Sequence, residues 1–262
     1  MYYEIHGTGK PLVLIHGGLG SVEMFGEILP SLAEGRQVIG VDLQAHGGTA
    51  DVDRPLRFDS MADDVAALIE ELGLGPVDLM GYSLGGGVAL QTAIRHPETV
   101  RRMAIISAPF RRDGWYPEVL AGMAAMNAEA ARAMVGSPPH AAYVSVAPKP
   151  EDWPVLVSKT GDLLRQDYDW TAGVAAIEAP TLLVFGDADA VQLGHVVEMY
   201  RLLGGGPAIL SPGGTMGDLP DSQLAVLPGT THYEILSSPG LVPAVVSFLD
   251  APASQGRKAI AA

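Results

Sequence analysis

Residues 77–89, Val-Asp-Leu-Met-Gly-Tyr-Ser-Leu-Gly-Gly-Gly-Val-Ala, constrain the fold more than any other stretch of the chain. Val77 to Met80, apolar but for Asp78, reads as the short run of a buried strand. Leu84 to Arg95 reads as a helix, and between the two lies Gly81-Tyr82-Ser83-Leu84-Gly85, a G-x-S-x-G pentapeptide. A chain that passes from strand to helix this sharply has no room for side chains at the flanking positions, which is why both are glycine. The same turn lifts the middle residue, Ser83, onto an exposed and strained corner. With 32 glycines in 262 residues the pentapeptide alone carries little weight. The strand before it and the helix after it give it meaning.

Strand and helix alternate on either side of this stretch. Tyr2–Ile5, Pro11–Ile15, Gln37–Leu43 and Val100–Ser107 read as further strands. Helical periodicity covers Glu23–Glu34, with Ser21 as its cap, and runs from Ser60 to Leu72, with Asp63 and Asp64 in the first turn. Short connections between such elements specify an α/β fold: a mainly parallel sheet with helices on both faces. The pattern breaks near residue 110. Residues 110–172 hold one long helical pattern, Pro117–Val135, then a proline-rich connection through Ser137-Pro138-Pro139, then a second helix over Asp152–Gln166. About 60 residues hardly support a separate core, so the segment reads as a helical insertion, or cap, within a core of residues 1–109 and 173–250. Within the second part of that core, Pro180–Phe185 and Gln223–Leu227 read as strands, and Leu193–Leu203 and 239–250 as helices. The Gly/Pro-rich loop 204–220 and the tail 251–262 show little periodicity and are expected to be mobile.

Composition removes several classes of function. Sixteen basic against 30 acidic residues give a formal charge of −14, which disfavours nucleic acid and anionic membrane as partners. Cysteine is absent, and with it disulfides, thiolate nucleophiles and thiolate-held metals. The start, Met-Tyr-Tyr-Glu-Ile-His, has neither the basic nor the apolar region of a secretory signal, and no apolar run reaches the roughly 20 residues of a membrane span, so a cytoplasmic protein is expected. Gly18-Leu19-Gly20 meets Glu23 where a dinucleotide fingerprint requires its third glycine. His46 with Asp51 and Asp53 matches no metal-ligand spacing, so neither metal nor cofactor is expected.

In an open parallel sheet the loops that follow the strands share one rim. Ser83, Asp187, Asp189, His232 and the glycine loop at Gly18-Leu19 all stand just past strand ends. A serine hydroxyl becomes a useful nucleophile when a base takes its proton and a carboxylate orients that base, and either aspartate could serve. The chain order Ser, Asp, His is one of the few orders in which this arrangement occurs.

On these residues the sequence resembles the α/β-hydrolase family. His16-Gly17-Gly18 is similar to the family's oxyanion loop, Gly81-Tyr82-Ser83-Leu84-Gly85 to its nucleophile elbow, Gly186-Asp187-Ala188-Asp189 to its acid loop, and Pro228-Gly229-Thr230-Thr231-His232 to its histidine loop. Asp42-Leu43-Gln44-Ala45-His46-Gly47 resembles the D-x-x-G-x-G loop, with Ala45 in place of the first glycine. The resemblance implies Ser83 as nucleophile, His232 as base, Asp189 rather than Asp187 as the acid, and the backbone N–H groups of Leu84 and of Gly18 (or Leu19) as an oxyanion hole. It places residues 110–172 where the family carries a variable cap over the same rim. Leu19, Tyr82, Trp115, Tyr116, Met123, Met126 and Trp153 are then the candidates to line an apolar pocket, while Arg111-Arg112 reads as a solvated face. The expected activity is hydrolysis of small, apolar or aromatic carboxylic esters through an acyl-enzyme. Hydrolysis of a carbon–carbon bond, lactone opening or perhydrolysis on the same three residues is the alternative, and a non-catalytic binding protein is the other. The expected partner is a small ester; a homodimer stays open.

Overall fold

Seven strands form one sheet in the computed structural model, which describes residues 1–206 and 220–252. The strands are β1 (Tyr2–His6), β2 (Lys10–Ile15), β3 (Arg36–Asp42), β4 (Val77–Tyr82), β5 (Val100–Ile106), β6 (Thr181–Ala188) and β7 (Gln223–Thr231), in the order β1-β3-β2-β4-β5-β6-β7. Only β1 runs antiparallel, pairing Tyr2 with Asp42 and His6 with Val38 of β3. The expected α/β fold, with a mainly parallel sheet, is therefore the observed one.

The apolar runs become central strands because each strand has something to bury on both sides. Val13 and Ile15 of β2, Leu79 of β4, Ile105 of β5 and Phe185 of β6 enter one core. Leu12 and Leu14, Met80, Ile106 and Val184 enter the other. Each such side chain contributes about 1.5–3 kcal/mol when fully buried, before chain entropy is subtracted. The first core is closed by α2 (Phe58–Glu71) and α3 (Leu84–Arg95); the second, by the short α1 (Leu29–Leu32) and by a helix at the end of the described chain, Leu241–Asp250.

From β2 the chain first moves outward to β3 and then returns to pair β4 against the other side of β2. The crevice outside the strand ends at such a reversal is where open α/β sheets bind ligands. Gly17-Gly18 follows β2 and Ser83 follows β4, so both sit at this crevice.

The helical segment differs from its sequence reading. The single helix expected over Pro117–Val135 is two, α4 (Pro117–Ala124) and α5 (Ala128–Ala133). Asn127 breaks the run: its side chain accepts hydrogen bonds from the N–H groups of Glu129 and Ala130, capping α5. Pro138 and Pro139 open a helix, α6 (Pro138–Val146), instead of forming a connection, because proline is well suited to a first turn. The chain continues through α7 (Trp153–Arg165), α8 (Thr171–Ala175) and, after β6, α9 (Leu193–Leu202); the closing helix is α10 (Leu241–Asp250).

Smaller corrections follow the same logic. Glu23–Glu34 contains only a 3-10 turn and α1, and Ser21 makes no capping bond; the Asp42 carboxylate accepts from Val22 N–H instead. Helix α2 starts at Phe58, so Asp63 lies beyond its first turn and pairs with Arg95 and His96. Arg111 and Arg112 are not a solvated face. Arg111 grips both oxygens of Glu198 on α9, and Arg112 donates to the Leu164 carbonyl and to Asp167, tying the helical segment down. Most of loop 204–220 and of tail 251–262 lies outside the described residues.

Candidate active site

Ser83 occupies the turn between β4 and α3 with φ 54° and ψ −118°, a conformation that a residue with a side chain adopts at a cost. The neighbours explain both the strain and the glycines. A Cβ on Gly81 would stand 2.2 Å from the Gly85 carbonyl oxygen, and one on Gly85 would stand 2.2 Å from that of Ile15. The helix therefore begins almost in contact with β2, and any side chain at either position would push Ser83 away from the rim.

Strain is concentrated there. The non-glycine residues with positive φ among those described are Leu19, Ala45, Ser83 and Ser107, and they follow β2, β3, β4 and β5 respectively. Backbone held this way persists only when the surroundings over-determine it.

The other two candidate residues arrive through strand pairing. β6 and β7 run further than their apolar patterns suggest, through a register shift near Gly186, until Ala188 pairs with Thr231. Asp189 and His232 are the next residue on each strand, which brings them side by side. His232 Nδ1 lies 3.0 Å from Asp189 Oδ1, and His232 Nε2 lies 3.0 Å from Ser83 Oγ. With its Nδ1 proton donated to the carboxylate, the ring offers Nε2 as an acceptor for the serine proton. Asp187 turns elsewhere and accepts from Thr230 N–H.

Asp189 is buried, and desolvation alone would push its carboxyl up. The hydrogen bond and charge of His232 outweigh that, with help from the Ser107 hydroxyl and the Gly186 N–H, and hold it below the usual carboxylate range. The Val191 N–H adds a further donor at 3.3 Å. The histidine is held from both sides: the Tyr82 hydroxyl donates to its carbonyl oxygen at 2.8 Å, and the Trp115 ring meets its imidazole edge-on, 5.5 Å between centroids.

His16 is structural. Its Nε2 accepts from Leu43 N–H at 3.0 Å, which leaves Nδ1 to donate to the Gly17 carbonyl at 2.7 Å, locking the loops after β2 and β3 together. Burial drives its pKa down to about 4, and that of His46 down to about 3. His195, likewise lowered to about 4 by burial, stacks on Phe110 and accepts from the Phe110 N–H.

A cavity of about 800 Å³ opens above Ser83, between the rim and the helical segment. Gly18, Leu19, Tyr82, Leu84, Trp115, Met123 and Met126 line it, as the sequence candidates require. Trp153 does not. It is 2% exposed, packs against Tyr143 and Leu156 inside the helical segment, and donates its indole N–H to the Ala131 carbonyl. Tyr116 is also absent from the lining, and its side chain is largely exposed. Alanine- and methionine-rich helices as thin as these cannot close on each other without a large ring, and Trp153 fills that role.

Several lining residues escaped the sequence reading. Phe58 and Tyr168 lie just outside the helices read over Ser60–Leu72 and Asp152–Gln166, and Tyr233 stands beside His232. Ser107 was passed over as the end of a strand. A small polar residue at the end of a strand adjoining that of Ser83 was the available signal. Among the described residues no group of three or more His, Asp or Glu side chains is placed to hold a metal ion.

Comparison with known proteins agrees with this fold. The sequence model of a family described as the alpha/beta hydrolase fold matches residues 10–192. A pimeloyl-[acyl-carrier protein] methyl ester esterase of Neisseria meningitidis serogroup B (strain ATCC BAA-335 / MC58) is 42% identical over 118 residues, 44% of this chain and 43% of that protein. A 2-hydroxymuconate semialdehyde hydrolase of Pseudomonas sp. (strain CF600) is 36% identical over 106 residues, 39% of this chain and 38% of that protein. The similarity thus spans less than half the length of these curated relatives. Among solved structures, a thermophilic esterase from Thermogutta terrifontis superposes with a TM-score of 0.71 at 22% identity, covering 95% of this chain and 92% of that one. At that identity the likeness speaks for the fold.

Proposed function

The chain belongs to the alpha/beta hydrolase fold family, and from that premise we propose that it is a serine hydrolase cleaving small, apolar or aromatic carboxylic esters. The observation that carries the proposal is the unbroken contact from Asp189 through His232 to Ser83, 3.0 Å at each step, opening onto a largely apolar cavity. Esterases among the relatives support it.

In this reading Ser83 Oγ attacks the ester carbonyl while His232 Nε2 takes its proton. The tetrahedral intermediate collapses with cleavage of the acyl–oxygen bond, and the imidazolium returns the proton to the departing alcohol. Water then attacks the acyl-enzyme, again giving its proton to His232, and the acid leaves as Ser83 recovers its own. Asp189 remains ionised throughout and stabilises the imidazolium. The oxyanion donors are the N–H of Leu84, which as the first residue of α3 has no acceptor within the helix, and that of Gly18 or Leu19. Each is worth about 3 kcal/mol of barrier.

Residues 110–172 act in this reading as a cap over a core of residues 1–109 and 173–250. No helix among the described residues is long and apolar enough to cross a membrane. Carbon–carbon bond hydrolysis is the second reading, favoured by the relative named for 2-hydroxymuconate semialdehyde. A muconate carries a carboxylate, and no Lys or Arg is among the described residues of the lining, so the ester reading ranks first. Parallel assays of aryl esters and vinylogous diketones separate the two. Labelling of Ser83 by a fluorophosphonate tests both together, and a folded protein that turns over neither and takes no label rejects them in favour of a binding protein.

A further inference from the structure

The charges around the cavity narrow the substrate further. Among the described residues that line it there is no Lys or Arg, and Glu118 is the one carboxylate. Glu118 is an exposed residue in the first turn of α4, three residues after Trp115, whose ring abuts His232. Val119, Gly122 and Met123 of the same helix continue the lining. Among the described residues it has no hydrogen bond or ion pair. The two arginines that precede its helix are occupied, Arg111 by Glu198 and Arg112 by Leu164 and Asp167.

The same lining carries an aromatic ring with nothing packed over it. Tyr233 is 89% exposed, lines the cavity and meets the His232 ring edge-on at 5.5 Å. An apolar cavity lined by an unpaired carboxylate and a solvent-facing ring is a poor place for an anion. A bulky cation gains there from the ring face, from the carboxylate and from burial of its alkyl groups. The formal charge of −14 adds a long-range field of the same sign.

We propose that the site selects esters bearing a substituted ammonium group near the scissile bond and discriminates against esters bearing a carboxylate there. The proposal rests on the ester-hydrolase reading above. The experiment compares choline acetate, its uncharged isostere 3,3-dimethylbutyl acetate, and a carboxylate analogue of equal length, by kcat/KM at low and high salt. The expected order is cation, neutral, anion, with about tenfold between successive members at low ionic strength and less at high. Glu118→Gln and Tyr233→Leu should each reduce the cation-to-neutral ratio to about threefold, the first also weakening its salt dependence. Fluorophosphonate labelling of Ser83 shows that each variant is folded. A ratio at or below one in the unaltered protein, with the neutral ester turned over, overturns this inference and leaves the hydrolase reading standing. A high ratio that neither variant changes also overturns it, by removing Glu118 and Tyr233 from recognition. Absence of turnover with all three esters overturns this inference, and if Ser83 also takes no fluorophosphonate label the hydrolase reading falls with it.

Discussion

Two buried aspartates, at opposite ends of the same sheet, are treated in opposite ways. Asp189, at the rim beyond the strand ends, receives hydrogen bonds from His232, Ser107, Gly186 and Val191, and its carboxyl is held low despite burial. Asp78, near the start of β4, is engaged through one oxygen by Arg101, while its other oxygen is buried without a hydrogen-bond partner among the described residues. Burial dominates there and pushes its pKa up to about 6, against the pull of Arg101. Burial alone therefore does not set the direction in which a carboxyl is shifted. The number of donors aimed at it does, and one donor to Asp189, Ser107, stands in a strained turn at the rim.

The sharpest way to break this contrast is to remove the reacting atom. Ser83→Ala is expected to lower kcat for an aryl ester by about 10⁴-fold or more with little change in melting temperature. Asp189→Asn comes next. The amide offers Nδ1 of His232 the wrong partner, and kcat should fall by about 10³- to 10⁴-fold in a folded protein. Ser107→Ala removes a single donor from Asp189 and is expected to cost about tenfold in kcat/KM, since hydrogen bonds to a charged group are worth about 1.5–3 kcal/mol. The lost donor also lets the Asp189 carboxyl rise, so the acid limb of the pH profile should move to higher pH, a shift that a simple packing defect would not produce.

The opposite end of the sheet should respond in stability and not in rate. The Asp78 carboxyl is raised in the folded state above an unfolded value of about 3.9. Its contribution to stability is therefore complete below the unfolded value and is lost as the pH rises through about 6. Asp78→Asn cannot ionise, so its melting temperature relative to the unaltered protein should improve between pH about 4 and about 7, with kcat nearly unchanged. Thermal melts of the pair across that range check the sign. The buried histidines act in the other direction in both proteins. His16 and His195 are lowered to about 4, so the stability linked to them is present above about 6.5 and is lost as the pH falls toward about 4. Taking the difference between variant and parent removes that common slope.

The rim was far more legible in the sequence than the helical segment above it, for a physical reason. Strands buried on both faces leave continuous apolar runs, and tight strand-to-helix turns leave glycines, so the positions of Ser83, Asp189 and His232 past strand ends could be read directly. The extension of β6 and β7 by the Ala188–Thr231 pair could not, because Pro228-Gly229 looks like a loop until the register shift is seen. In the helical segment the periodicity is similar whether a face meets the cavity or a neighbouring helix. Met123 and Trp153 therefore looked equivalent, yet Met123 lines the cavity and Trp153 fills the segment's own core. The break at Asn127 was a capping signal hidden in an alanine-rich run, and the pairing of Arg111 with Glu198 joins residues far apart in sequence.

The central claim is that Ser83, activated by His232, forms a covalent intermediate. Mapping of the peptide labelled by a fluorophosphonate tests it most directly, comparing the unaltered chain with His232→Ala under identical exposure. The account predicts one modification, on Ser83, formed rapidly in the former and at a rate lower by several orders of magnitude in the latter. Labelling confined to another residue, or equal rates in the two proteins, would contradict it.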